Sequence, residues 1–170
     1  MIQQLEVHTA VMPGVLPDHE IPEWRDRMVE TALDNLREDG ELDPTLLCVC
    51  RGGPEPDTPT LMSSIMLNEW MQTEELKDTL AELLPHLLHD LQCWAYVLLL
   101  DTNISIPDLG LNSEALLVAA EHAGSDSTIS YHRYDRDGSG KVTHVHPPAE
   151  GVVATMDGRF TNLLRTPQHA

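Results

Sequence analysis

Residues 95–100, AYVLLL, and residues 114–122, EALLVAAEH, decide the fold. Each is apolar almost without interruption, which predicts a central strand. The stretch between them, DTNISIPDLGLN, reads as a loop. Farther on, Thr128 to Tyr134 and Lys141 to His146 read as the two arms of a hairpin across DRDGSG. Four strands therefore arrive with no helix between them, and such short connections favour antiparallel pairing.

Upstream of these strands the periodicity changes. Leu5, Val7, Thr9 and Val11 alternate as an edge strand does, and Pro13, Gly14 and Pro17 end it. From Glu23 to Arg37 the spacing predicts a helix: Trp24, Met28, Ala32 and Leu36 recur every four residues, with Val29 and Leu33 beside them. Pro22 suits its start and Asp39-Gly40 its end. Leu46 to Cys50 and Thr60 to Leu67 predict two strands around the loop RGGPEPDTP. Between Thr73 and Cys93, Leu76, Leu80, Leu83, Leu84, Leu87 and Leu91 make an apolar helical stripe. Pro85 removes a backbone donor within it and predicts a kink or a break. A short helix around Asp157 to Arg165 is expected to close the chain.

The expected fold is α+β: a mainly antiparallel sheet of about five to seven strands, with two main helices packed on one face and a short C-terminal helix. At 170 residues, positions 1–166 are expected to form a single globular domain and 167–170 a loose tail.

Ten basic residues against 28 acidic ones give a net charge of −18. Such a surface repels phosphate, so direct nucleic-acid binding and docking on an anionic membrane are not expected. Solubility alone explains such a balance, and its functional reading is a protein partner with a basic surface. Aromatic residues make up only 4% of the chain, too few for a surface that stacks bases. No apolar run approaches a membrane span, the N-terminus lacks a signal-peptide pattern, and three cysteines are a sparse set for a disulfide framework. A cytoplasmic location is the expectation. Association of copies through an exposed strand edge stays open, opposed by the charge on each chain.

Three segments invite a metal. Asp135 to Val142, DRDGSGKV, resembles the first eight positions of an EF-hand calcium loop, with Asp135, Asp137 and Ser139 as side-chain oxygen ligands, Gly140 at the sharp turn and the Lys141 carbonyl at position seven. Position twelve of that loop, a bidentate glutamate in the family, is His146 here. Asp, Gly and Ser are also what a hairpin turn wants for backbone reasons, and the plain turn is the expected reading. Second, His144 and His146, with Asp157 eleven residues on, resemble the zinc site of JAMM-type metalloproteases. The resemblance implies two histidines and an aspartate on the metal and a glutamate as general base, for which Glu114 and Glu121 are the candidates. Where the family has a serine three residues before the aspartate, this chain has Ala154. Third, Glu82, His86, His89 and Cys93 follow at steps of four, three and four, opposite the leucines. A hydrated helix face is the expected reading, and Pro85 disturbs the geometry a metal would need.

Cys48 and Cys50 read as small core residues, and Trp24, Trp70 and Trp94 as core anchors. No catalytic constellation outweighs its structural alternative. The leading expectation is a non-enzymatic protein acting through protein contacts, in an accessory, regulatory or inhibitor role, with no cofactor. A zinc-dependent hydrolase at His144, His146 and Asp157, or a calcium-stabilised hairpin at Asp135 to Gly140, are the alternatives.

Overall fold

The structure is a computed structural model that describes residues 5–11, 16–51, 60–106, 110–125, 127–150 and 160–164. Its strands are β1 (Glu6–Val11), β2 (Thr45–Arg51), β3 (Thr60–Met66), β4 (Cys93–Ile106), β5 (Leu111–His122), β6 (Thr128–Arg136), β7 (Val142–Val145) and the two-residue β8 (Ala149–Glu150). Two helices interrupt them, α1 (Ile21–Asp39) and α2 (Glu74–Asp90). The strands form one sheet in the order β1-β3-β2-β4-β5-β6-β7, with β8 also pairing β6. Every pairing is antiparallel. The α+β class and the antiparallel sheet are as expected from the sequence.

The helices do not share a face. Alternate residues of a strand point to opposite sides. Tyr96, Leu98 and Leu100 of β4 pack with Leu80, Leu84 and Leu88 of α2. Ala95, Val97 and Leu99 pack instead with Trp24, Ala32 and Leu33 of α1. Both sides of β4 and β5 are apolar, so two helices on one face would leave Val97, Leu99, Leu116 and Val118 in water. That cost, about 25 cal/mol per Å² of apolar surface, places one helix on each side.

Of the predicted loop over 101–112, residues 101–106 and 111–112 are instead part of the β4–β5 ladder. Thr102 pairs Ala115 and Ile106 pairs Leu111, so the ladder satisfies backbone groups that a loop would leave to water. Ile104 of this extension is buried. Helix α2 runs unbroken through Pro85, which forgoes one hydrogen bond while fully buried Leu84 and Leu88 hold both of its sides to the sheet. The Thr73 hydroxyl caps its start, accepting from the Leu76 amide at 3.1 Å. Gly40 ends α1 in the left-handed conformation, φ 79°, with its amide on the Leu36 carbonyl at 2.9 Å.

The short C-terminal helix is not seen. Among the described residues, 160–164 form turns whose Phe160 and Leu163 are buried under α2's face of the sheet. Positions 157–159 and 165, the rest of that expectation, lie outside the described residues, as does the proposed tail. No described helix is long and apolar enough to cross a membrane.

Candidate functional site

The β6–β7 turn is built by one carboxylate. Asp137 Oδ1 accepts from the Ser139 amide (2.8 Å), the Ser139 hydroxyl (2.6 Å) and the Lys141 amide (3.1 Å). Those bonds, the Ser139 hydroxyl first, hold the Asp137 carboxyl below its ordinary value. They are the bonds of an Asx-type turn, supplied by the residues that resemble a calcium loop. Asp135, the loop's first position, accepts at Oδ2 from the His146 ring, 3.0 Å away.

His144 and His146 stand side by side on the face of the sheet that α2 occupies, their ring centroids 4.6 Å apart and nearly perpendicular. The i, i+2 spacing on a strand does bring them together. Asp157, their proposed partner, lies outside the described residues. Both candidate bases have other contacts. Glu114 Oε2 accepts from Arg136 Nε at 2.6 Å, and Glu121 Oε1 from the Leu164 amide at 3.1 Å. Cys93 leaves the Glu82, His86 and His89 line because it belongs to β4 rather than α2. Among the described residues, no group of three His, Cys, Asp or Glu side chains is arranged to hold a metal ion.

The sheet brings together groups that the sequence keeps far apart. Asp18 Oδ1 accepts from Arg51 Nη2 (2.7 Å) and from Trp94 Nε1 (2.8 Å), with His122 Nε2 at 3.9 Å. The Arg51 guanidinium lies 4.2 Å from the centre of the Trp94 ring, a cation–π contact. Beside this cluster a pocket of about 180 Å³ opens between the start of α1 and the β5–β6 turn, lined by Trp24, Arg25, Glu121 and His122 among others. Trp24 Nε1 and His122 Nε2 are both buried without a hydrogen-bond partner among the described residues.

A second polar cluster lies below the end of α1. Tyr134 donates its hydroxyl to Asp101, and Arg136 bridges Glu114 and the Gly140 carbonyl, the latter at 2.8 Å. Burial, opposed by the Tyr134 hydrogen bond, holds the Asp101 carboxyl above its ordinary value. Burial likewise raises the Tyr134 phenol. Next to it the surface dips into a concavity of about 710 Å³ whose rim carries Glu38, Asp39, Glu41 and Asp43, with Leu42 and Met66 also in its lining. Among the described residues, no basic side chain lines it.

The three cysteines also converge. Cys48 and Cys50 are buried on the α2 face, as expected of small core residues. By simple alternation Cys93 belongs with Ala95 on the other face. A bulge intervenes: Val49 pairs Ala95, but Cys50 pairs Cys93, which leaves Trp94 as the extra residue. Trp94 and Ala95 pack on the α1 side, and Cys93 turns back to the α2 side against the other thiols. Sequence reading had no signal for this, because a bulge changes the period that such reading counts.

The chain matches no family model, no curated protein and no solved structure. The site's own chemistry must therefore carry the functional reading.

Proposed function

We propose that the chain is a non-catalytic protein that acts through protein–protein contact and offers its acidic surface to a basic partner, in an accessory, regulatory or inhibitory role. The supporting observation is the concavity edged by Glu38, Asp39, Glu41 and Asp43. Its four carboxylates face no basic residue in the lining, and Leu42 and Met66 supply an apolar wall for the methylene stem of a lysine or arginine. Electrostatic complementarity of this kind sets encounter rate and partner choice more than raw affinity.

The test compares two variants of equal charge for binding to an arginine-rich peptide at low and moderate salt. One carries Glu38→Gln, Asp39→Asn, Glu41→Gln and Asp43→Asn. The control carries Glu69→Gln, Glu75→Gln, Glu82→Gln and Asp90→Asn, all exposed on the opposite helix and its approach. The first should bind about tenfold more weakly than the control, roughly 1.4 kcal/mol. Equal binding by both would reduce the effect to net charge and overturn the reading.

The adjacent His144 and His146 rings favour a second reading, a zinc-dependent hydrolase. Asp135 would orient His146 as a carboxylate behind a metal-bound imidazole does. On this reading excess zinc raises the thermal midpoint of the wild-type chain and not that of His146→Ala. An unchanged wild-type midpoint with zinc and with EDTA removes it.

A further inference from the structure

We propose that Cys50 and Cys93 form a reversible disulfide, a modification site that ties β2 to β4 and leaves Cys48 as the free thiol. The two are direct cross-strand partners at the bulge. Residues so paired have Cα atoms roughly 4.5–5.5 Å apart, inside the range of roughly 4.4–6.8 Å that a disulfide spans without backbone movement. Cys48 faces Tyr96 in the same ladder. Cys48 is only the diagonal neighbour of Cys93, which a regular ladder sets farther apart than a direct pair, although its thiol also reaches the Cys93 thiol.

Access is one-sided. Cys50 is 1% exposed, whereas Cys93 is half-buried and lines a surface pocket of about 190 Å³ with His89, Gln92 and Leu164. Hydrogen peroxide reaches Cys93 first. The Cys93 sulfur attacks the peroxide: an S–O bond forms, the O–O bond breaks, and the departing hydroxide takes the thiol proton as water. The Cys50 sulfur then attacks the Cys93 sulfenic acid. An S–S bond forms, the S–O bond breaks, and the second hydroxide leaves as water with the Cys50 proton. Two thiols are oxidised to one disulfide while one peroxide is reduced to two waters. The hydrogen bond with Cys93, then burial, holds the Cys50 thiol well above the ordinary range, and the hydrogen bond with Cys48, with burial, does the same for Cys93. Thiolate is the attacking species, so the reaction is slower than that of an exposed cysteine.

The experiment oxidises the reduced, folded chain with hydrogen peroxide, counts free thiols after denaturation and maps the linked peptides by mass spectrometry. The free-thiol count should fall from three to one. The linked pair should be Cys50–Cys93, and dithiothreitol should restore the count. Cys48→Ser should form the same bond, and Cys93→Ser should form none within the chain. The wild-type map stands by itself if a serine variant fails to fold. Three thiols surviving, or cysteines driven to sulfinic acid with no linked peptide, would overturn the proposal. A bond mapped to Cys48, or one joining two chains, would do the same.

Discussion

Asp101 is the residue where position and chemistry conflict most. It sits on β4 beneath the end of α1, receives the Tyr134 hydroxyl, and is half-buried with no cation bonded to it directly among the described residues. Burial raises its carboxyl above the unfolded value, so between those two values the native state holds more protons than the unfolded chain. Stability then falls as pH rises through that window. In Asp101→Asn the amide oxygen still accepts from Tyr134, and the cost of the buried charge disappears. Urea unfolding followed from pH 3.5 upward should show a flatter decline for this variant, with a midpoint at pH 7 no lower than that of the wild type. His132 works in the opposite sense. Burial lowers its ring below the ordinary histidine value, so its contribution is lost as pH falls below about 6.5. A midpoint that rises from pH 5 to pH 7 in the wild type and less so in His132→Phe would carry that signature.

At the scale of elements, α2 shows how a tertiary face overrides a local breaker. Leu80, Leu84 and Leu88 are fully buried against β2 and β4, while Leu83 is 42% exposed. Leu84→Ala should therefore cost about 2–5 kcal/mol in denaturant unfolding, and Leu83→Ala less than about 1 kcal/mol. Similar losses from both would place the wrong side of the helix on the sheet. The helix and most of its leucine stripe were legible in the sequence, as were the strands at Ala95 and Glu114, but the stripe read there takes in Leu83, which is exposed, and leaves out Leu88, which is buried. The choice of face was not legible. In a strand apolar on both sides, alternation carries no label for inside and outside, so AYVLLL does not say which helix covers Val97 and which covers Leu98. Thr102 to Ile106 looked like loop because their order comes from a ladder with the partner strand rather than from their own composition. Of the candidate site, the His144–His146 pairing was legible from spacing. The joining of Asp18, Arg51, Trp94 and His122 was not, because only the sheet order brings them together.

For the whole molecule the dominant quantity is a net charge of −18. Among the described residues the ion pairs keep at least one partner exposed, and surface pairs contribute about 0–1 kcal/mol each. A net charge of −18 sets self-repulsion among the acids against them, and salt screens that repulsion over a Debye length of about 10 Å at 0.1 M. Raising sodium chloride from about 0.01 M to about 0.3 M should therefore raise the thermal midpoint, measured by circular dichroism at constant pH. A falling midpoint would show attractive pairs prevailing. The strand order has a further consequence for the chain during its synthesis. Strands β4 to β7 form a meander in which each joins its predecessor, but β2 lies between β3 and β4, and α2 separates these two in sequence. A ribosome releasing the chain from its N-terminus delivers β2 and β3 well before β4. Until β4 emerges, the edge of Leu46-Leu47-Cys48-Val49-Cys50 is an open apolar template, so the stretch most in need of a chaperone is one that the finished protein buries at the centre of its sheet.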